Sequence, residues 1–269
     1  MAPSSVTAYF ERHGATHFRA TPHVGGAWKL DEQHISPALG LLVHLVEVDR
    51  DARRGDGLVL ARLSYDILGT VPVDVVETEV RVVRPGRTVE LVEARIIHRA
   101  RTVVMLRAWL MRPYGTAALA SSSFPPLPEV DEMPPWDPTT VWTGGFIASA
   151  EVRRLQHRSG RASYWVRSPV DLVDGEAVSR LAHAARLFDI ANGMTVLASP
   201  EEVFFPNVDL TAHLFGDFAG EWLGFDTTVS FGPGGLGLTS SVLHDVHGPI
   251  GTVAQSLTVR PRPRGDALE

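Results

Sequence analysis

The stretch Ile35-Ser36-Pro37-Ala38-Leu39-Gly40-Leu41-Leu42-Val43-His44-Leu45-Val46-Glu47-Val48 carries the fold. It is apolar almost all the way round, with Ser36 placed to cap it and Pro37 at the first helical position, so it predicts a helix buried on nearly every side. Four extended runs rich in β-branched residues follow, Leu58 to Ile67, Asp74 to Arg84, Thr88 to His98 and Thr102 to Arg112. Pro85-Gly86 and Arg99-Ala100-Arg101 supply the turns between the last three, and such short connections predict an antiparallel meander.

The same order returns downstream. Phe146 to His157 and Ala162 to Arg167 read as extended, Glu176 to Leu197 as one long helix, and Val203 to Leu214, Glu221 to Phe231, Leu236 to His244 and Gly251 to Arg260 as strands. Pro85-Gly86 and Arg112-Pro113 are matched by Pro233-Gly234 and Arg260-Pro261, each displaced by 148 residues. Between the two sets, residues 115–140 hold a serine run at Ser121 to Ser123 and the prolines Pro125, Pro126, Pro128, Pro134, Pro135 and Pro138. That composition suits an extended connector, or a proline-rich ligand for a partner domain. The expected organisation is an N-terminal unit over residues 1–114, a linker over 115–142 and a C-terminal unit over 143–269. A buried helix followed by an antiparallel sheet satisfies burial when the curved sheet wraps the helix. Two such halves joined edge to edge give an α+β double hotdog, with a cleft expected between the two helices.

Composition narrows the function. The chain has 269 residues, 44% of them apolar and 21% charged, which is enough to build a core. A net charge of −6 supplies no basic field for a polyanion, so nucleic acid is not an expected partner, although a local arginine cluster could meet a small anion. Lys29 is the one lysine, a bias that codon usage explains better than a selected phosphate site. The absence of cysteine excludes disulfides, thiolate nucleophiles, cysteine-ligated zinc and iron–sulfur clusters, and favours a cytoplasmic location. Met1 to Phe18 contains Glu11, Arg12, His13 and His17 and has no apolar core of a signal peptide. Ile35 to Val48 is shorter than the ~18–20 residues a bilayer requires, so no membrane partner is expected. The histidines have no metal-ligand spacing, and no metal or cofactor is expected; His244 and His247 flank a turn and should be solvated. Gly232-Pro233-Gly234-Gly235-Leu236-Gly237 reads as a hairpin turn rather than a phosphate cradle, since no helix follows it. Nucleophile-elbow, P-loop and dinucleotide-binding motifs are absent.

Carried through the whole chain, the displacement of 148 matches Leu41 with Asp189, Val59 with Asn207 and Arg107 with Gln255. The second copy thus has polar groups where the first has Leu, Val and Arg, the pattern of one working site and one retired one. Asp189 is the only charge between Arg186 and Glu201. It is either a surface or capping carboxylate, or a buried one whose raised pKa suits a general base. Gln255 shares its strand face with Val253, Leu257 and Val259, the face that should turn inward; it can fix a water or a carbonyl oxygen, or bond a neighbouring backbone group. Asn207, Asp209, Thr211 and His213 share one strand face, which a solvated surface explains equally well.

Asp189 in its helix, the strand Asn207-Val208-Asp209-Leu210-Thr211-Ala212-His213-Leu214 and the terminal Thr252-Val253-Ala254-Gln255 resemble the acyl-CoA thioesterase II group and its double-hotdog relatives, from about Ala20 to Pro261. In that group an Asp, a Thr and a Gln orient a water that attacks the thioester carbonyl. The resemblance implies these roles for Asp189, Asn207 and Gln255, with Asn207 standing where the group has Thr. It also implies a fatty acyl-CoA substrate hydrolysed to free acid and CoA, an acyl chain between sheet and helix, backbone amides near a helix N-terminus at the oxyanion, CoA phosphates met by arginines among Arg153, Arg154, Arg180 and Arg186, and a homo-oligomer. The loss of the Thr hydroxyl points to an alternative, a non-catalytic acyl-CoA or lipid-binding protein. A hotdog hydratase or dehydratase would need an Asp and His pair on a loop leading into a helix, and none is recognisable in the sequence.

Overall fold

The structure is a computed structural model and describes residues 7–263; residues 1–6, which belong to the opening segment read above, and 264–269 lie outside the described residues. The first half runs β1 (Ala8–Arg12), β2 (His17–Ala20), α1 (Ile35–Arg53), β3 (Val59–Ile67), β4 (Val75–Arg84), β5 (Val89–His98) and β6 (Arg101–Met111). After β7 (Pro135–Trp136) and the single turn α2 (Gly145–Ala148) come β8 (Glu151–Arg158), β9 (Arg161–Arg167), β10 (Asp171–Val173), α3 (Arg180–Ala185) and α4 (Ala191–Met194). The chain ends with β11 (Val203–Phe204), β12 (Asp209–Leu214), β13 (Leu223–Phe231), β14 (Leu236–Asp245), β15 (Gly248–Thr258) and β16 (Arg260–Pro261). Fourteen strands form one continuous sheet in the order β10-β1-β2-β4-β5-β6-β3-β12-β15-β14-β13-β9-β8-β7. The fold is a double hotdog whose halves meet where β3 pairs antiparallel with β12, Ser64 opposite Thr211 with their hydroxyls 3.0 Å apart.

Several sequence expectations are corrected. Within each half three strands form a meander, but β3 and β12 lie beyond β6 and β15 rather than beside β4 and β13. The tight turns hold β4, β5 and β6 together, whereas residues 68–74 are long enough to let β3 swing to the far edge. Phe146 lies in α2, and the extended run begins only at Glu151. Val203 to Leu214 breaks around Pro206, which cannot donate to a ladder, so Asn207 precedes β12 and forms only an isolated bridge with Leu257. His244 is buried, its Nε2 3.3 Å from the carbonyl of Pro125, and burial pushes its pKa down to about 4.

The register of the duplication also changes. The first half pairs Val80 with Ala94 and Ala94 with Leu106; the second pairs Thr227 with Ser241 and Ser241 with Val253, so the strands are related by 147 positions, not 148. The bulge at Val82/Arg84 puts the Pro85-Gly86 turn one residue out of step with the first half's strands. Because side chains alternate faces, a slip of one residue exchanges the two faces of a strand. At 147 the counterparts of Asp189, Asn207 and Gln255 are Leu42, Leu60 and Ala108, all three buried and apolar.

Helix α1 is the long buried helix its sequence requires, with Leu39, Leu41, Leu42 and Val43 wholly inaccessible. Its cap is His34, not Ser36: His34 Nδ1 accepts from the Ser36 amide at 3.2 Å, and Pro37 falls within the first turn, where a missing N–H costs no helical bond. The second helix is broken. After α3 the chain tightens into a 3₁₀ turn, Phe188–Ile190, before α4. In that turn the Asp189 amide donates to Ser36 Oγ (3.1 Å), tying the break to the start of α1.

The two helices pack directly on each other, so the expected cleft between them is closed. A Cβ at Gly40 would lie 2.6 Å from Arg186 Cβ and 2.8 Å from the carbonyl of Ala182. Gly40→Ala is therefore expected to destabilise the protein by about 1–3 kcal/mol despite alanine's better helix propensity, as a urea-unfolding series would measure.

Candidate active site

The break in the second helix opens a cavity of about 310 Å³ at the N-terminal end of α1. Its apolar wall includes Trp28, Ile35, Ile67, Trp142, Ile147 and Met194. Trp28 and Trp142 meet edge to face with centroids 4.9 Å apart, and Trp142 Nε1 is anchored on the carbonyl of Gly193 at 2.9 Å. Against this wall stand a few polar groups, His34, Gln33, Asp189 and Asn207, with Lys29 among the lining residues.

The structure brings together all three side chains singled out in the sequence. Asp189 is 5% exposed and Gln255 1%. Asn207 Nδ2 and Gln255 Nε2 each donate to the same carboxylate oxygen, Oδ1 of Asp189, both at 2.6 Å. Asn207 Nδ2 also reaches the carbonyl of Asp209 (3.1 Å), which fixes its amide plane. The other oxygen, Oδ2, lies 3.9 Å from His34 Nδ1, too far for a hydrogen bond, and accepts none from the described residues. Burial drives the Asp189 carboxyl up to about 7, while the hydrogen bonds from Asn207 and Gln255 pull in the opposite direction. The two amides thus hold the carboxylate itself. The resemblance implies that these amides orient the attacking water; in the structure both amide nitrogens are turned to the carboxylate.

Asp209, Thr211 and His213 do not join the site. Asp209 accepts the Ser256 amide and Thr211 meets Ser64. The arginines are largely committed elsewhere: Arg186 is buried on the carbonyls of Ser168, Val170 and His183, Arg154 bonds the Met194 carbonyl and covers Trp136, and Arg153 bonds the Met133 carbonyl. Arg180 lines a separate cavity.

Sequence reasoning missed His34, Ser36 in its role as acceptor, and Lys29 at the cavity. It also missed that an Asp and a His do meet beside a helix start, because one comes from each half of the chain. They are neighbours rather than a coupled dyad, since burial lowers the His34 pKa to about 3 and its Nδ1 is taken by the Ser36 amide. The available signal was a lone histidine one position before a predicted helix.

The acyl-CoA thioesterase N-terminal domain matches residues 25–111 and the acyl-CoA thioesterase C-terminal domain matches residues 129–259. The chain belongs to the acyl-CoA thioesterase family. Among solved structures it is similar to a thioesterase candidate from Novosphingobium aromaticivorans (22% identity, TM-score 0.71, covering 94% of this chain and 98% of that one). It is also similar to a conserved hot dog protein of unknown function from Alicyclobacillus acidocaldarius (14%, 0.72, 96% and 97%). A third is the acyl-CoA thioesterase II TesB2 from Mycobacterium marinum (16%, 0.67, 96% and 97%). No curated protein matches the chain. At these identities the structures share the fold, and the reaction has to be argued from the site. Among the described residues no helix is long and apolar enough to cross a membrane.

Proposed function

We propose that this family member hydrolyses a fatty acyl-CoA to the free acid and CoA, with Asp189 as general base. The observation that carries the reading is a buried carboxylate with one oxygen held by two amides and the other open beside an apolar cavity. Water on Oδ2 attacks the thioester carbonyl carbon and gives a proton to the carboxylate. The tetrahedral intermediate then expels the CoA sulfur, which takes that proton from the Asp189 carboxyl as the C–S bond breaks. No covalent intermediate with the protein is needed, in keeping with a chain that has no cysteine. Asn207 serves here through its amide N–H, a donation to Oδ1 for which a hydroxyl is not required.

At about 310 Å³ the cavity is at the small end of ligand sites, so it takes acyl chain and thioester while the nucleotide part of CoA stays outside. Lys29, exposed and only loosely paired with Glu32 at 3.8 Å, is then the cation at the mouth. Lys29→Ala is expected to raise KM about 3- to 10-fold with little change in kcat, and to leave the KM for an acyl-pantetheine thioester unchanged. The function itself is tested by thiol release from acyl-CoAs of increasing chain length, with wild type and Asp189→Asn. Release in wild type and its loss in the variant, with binding retained, is the expected result. Tight binding with no release from either protein would replace hydrolysis by the binding role.

A further inference from the structure

Asp189, Asn207 and Gln255 account for the base and its support, but they leave the carbonyl oxygen of the thioester without a donor. His34 is a polar group on the cavity wall that the scheme above does not use; Gln33, also on that wall, spends its Nε2 on the carbonyl of Pro72. Its ring is fixed on two sides. One face packs on Phe146 with centroids 4.2 Å apart, and Nδ1 accepts the Ser36 amide at 3.2 Å as the cap of α1.

An imidazole nitrogen that accepts a hydrogen bond carries no proton, so the neutral ring must hold its proton on Nε2. No described residue hydrogen-bonds Nε2, and Nε2 is not among the buried polar atoms left without a partner. The N–H edge therefore meets the cavity. Burial keeps the ring neutral, so it neither pairs with Asp189 nor lowers that carboxyl's proton affinity.

We infer that His34 is the oxyanion donor of this site, its Nε2–H bonding the thioester carbonyl oxygen as Asp189 Oδ2 takes the proton of the attacking water. The inference rests on the hydrolytic reading above. It assigns the two halves of the duplicated chain separate tasks at one site: the C-terminal half supplies the base and its two amides, and the N-terminal half, which has Leu42, Leu60 and Ala108 at those positions, supplies the donor to the carbonyl oxygen. The same Ser36 amide that caps through His34 belongs to the residue whose hydroxyl anchors the Asp189 amide, so donor and base are held by one turn of α1. A neutral donor suits this task, because charge develops on the oxygen only in the transition state and a preformed N–H costs no reorganisation there.

The test compares His34→Asn with His34→Gln. Asn is a strong N-cap and can keep the bond to the Ser36 amide while its short side chain has nothing at the Nε2 position. Gln can return an N–H near that position. With acyl-CoA as substrate, His34→Asn is expected to lose about 10²- to 10³-fold in kcat with KM little changed, and His34→Gln to recover part of the loss. A binding readout separates the donor from a packing role. An S-alkyl-CoA, which lacks the thioester carbonyl, should bind wild type and His34→Asn equally, whereas a trifluoromethyl-ketone CoA analogue, which mimics the tetrahedral oxygen, should bind His34→Asn at least tenfold more weakly. Equal weakening of both ligands, or a His34→Asn kcat within threefold of wild type, would overturn the assignment. If wild type releases no thiol from any acyl-CoA, it is the hydrolytic reading that fails.

Discussion

Asp189→Asn is expected to lower kcat for acyl-CoA hydrolysis by about 10²- to 10⁴-fold, with KM changed far less, because the substitution removes the proton acceptor and leaves the cavity wall in place. The accompanying pH profile is specific. Burial holds the Asp189 carboxyl up to about 7, and only its ionised form accepts a proton. In wild type, kcat/KM should therefore rise with pH through an apparent pKa near 7 and level off above it. The two amides on Oδ1 stabilise the ionised form, so Gln255→Leu should shift that limb upward and reduce the rate at pH 7 more than at pH 9. Thiol release followed from pH 5 to 9 measures all three proteins. A flat profile in wild type, or an Asp189→Asn variant within tenfold of it, would leave the carboxylate without a part in the chemistry.

Much of this site is legible in the sequence, and the missing parts have physical causes. The helix from Ile35, the β-branched runs and their spaced turns are local patterns, and they place a helix-wrapping sheet in each half. Gln255 broke the alternation of its strand and was visible as a polar group on an inward face. Asp189 stood out as a lone charge in an apolar segment. The displacement, in contrast, was read from turns, and bulges move turns relative to strands. It therefore named Arg107 as Gln255's counterpart when the inward position is Ala108. The long second helix failed for a tertiary reason: the Asp189 amide takes the Ser36 hydroxyl as its acceptor, a residue 153 positions away. His34 was missed because pairing across the two halves leaves no trace in spacing.

Removing the Asp189 charge should also stabilise the fold, and by an amount that grows with pH. The carboxyl sits at about 7 in the folded chain against an ordinary value of 3.8. A group whose folded pKa lies above its unfolded one keeps its proton in the native state while the unfolded chain has released it, so stability declines as pH rises from about 4 to 7 and is flat beyond. At 1.36 kcal/mol per unit the full effect is about 4 kcal/mol, an upper bound since the buried site can relax on ionisation. Asn in place of Asp keeps an Oδ1 to accept from both Asn207 and Gln255, so it leaves neither donor unpaired. Asp189→Asn and wild type should accordingly unfold at similar urea concentrations at pH 4.5, and the variant should be more stable by a few kcal/mol at pH 8. Asp189→Ala is the control: it removes the charge but strands two buried amides and opens a cavity, so it should fall below Asp189→Asn at both pH values. A stability gap between Asp189→Asn and wild type that does not change with pH would mean that the carboxylate ionises as freely as in water. The base near neutrality would then lose its physical ground, whatever the kinetics showed. If the gap opens as expected, the protein retains at Asp189 a destabilising charge where its own first half has Leu42, a cost that a working site explains and a packing role does not.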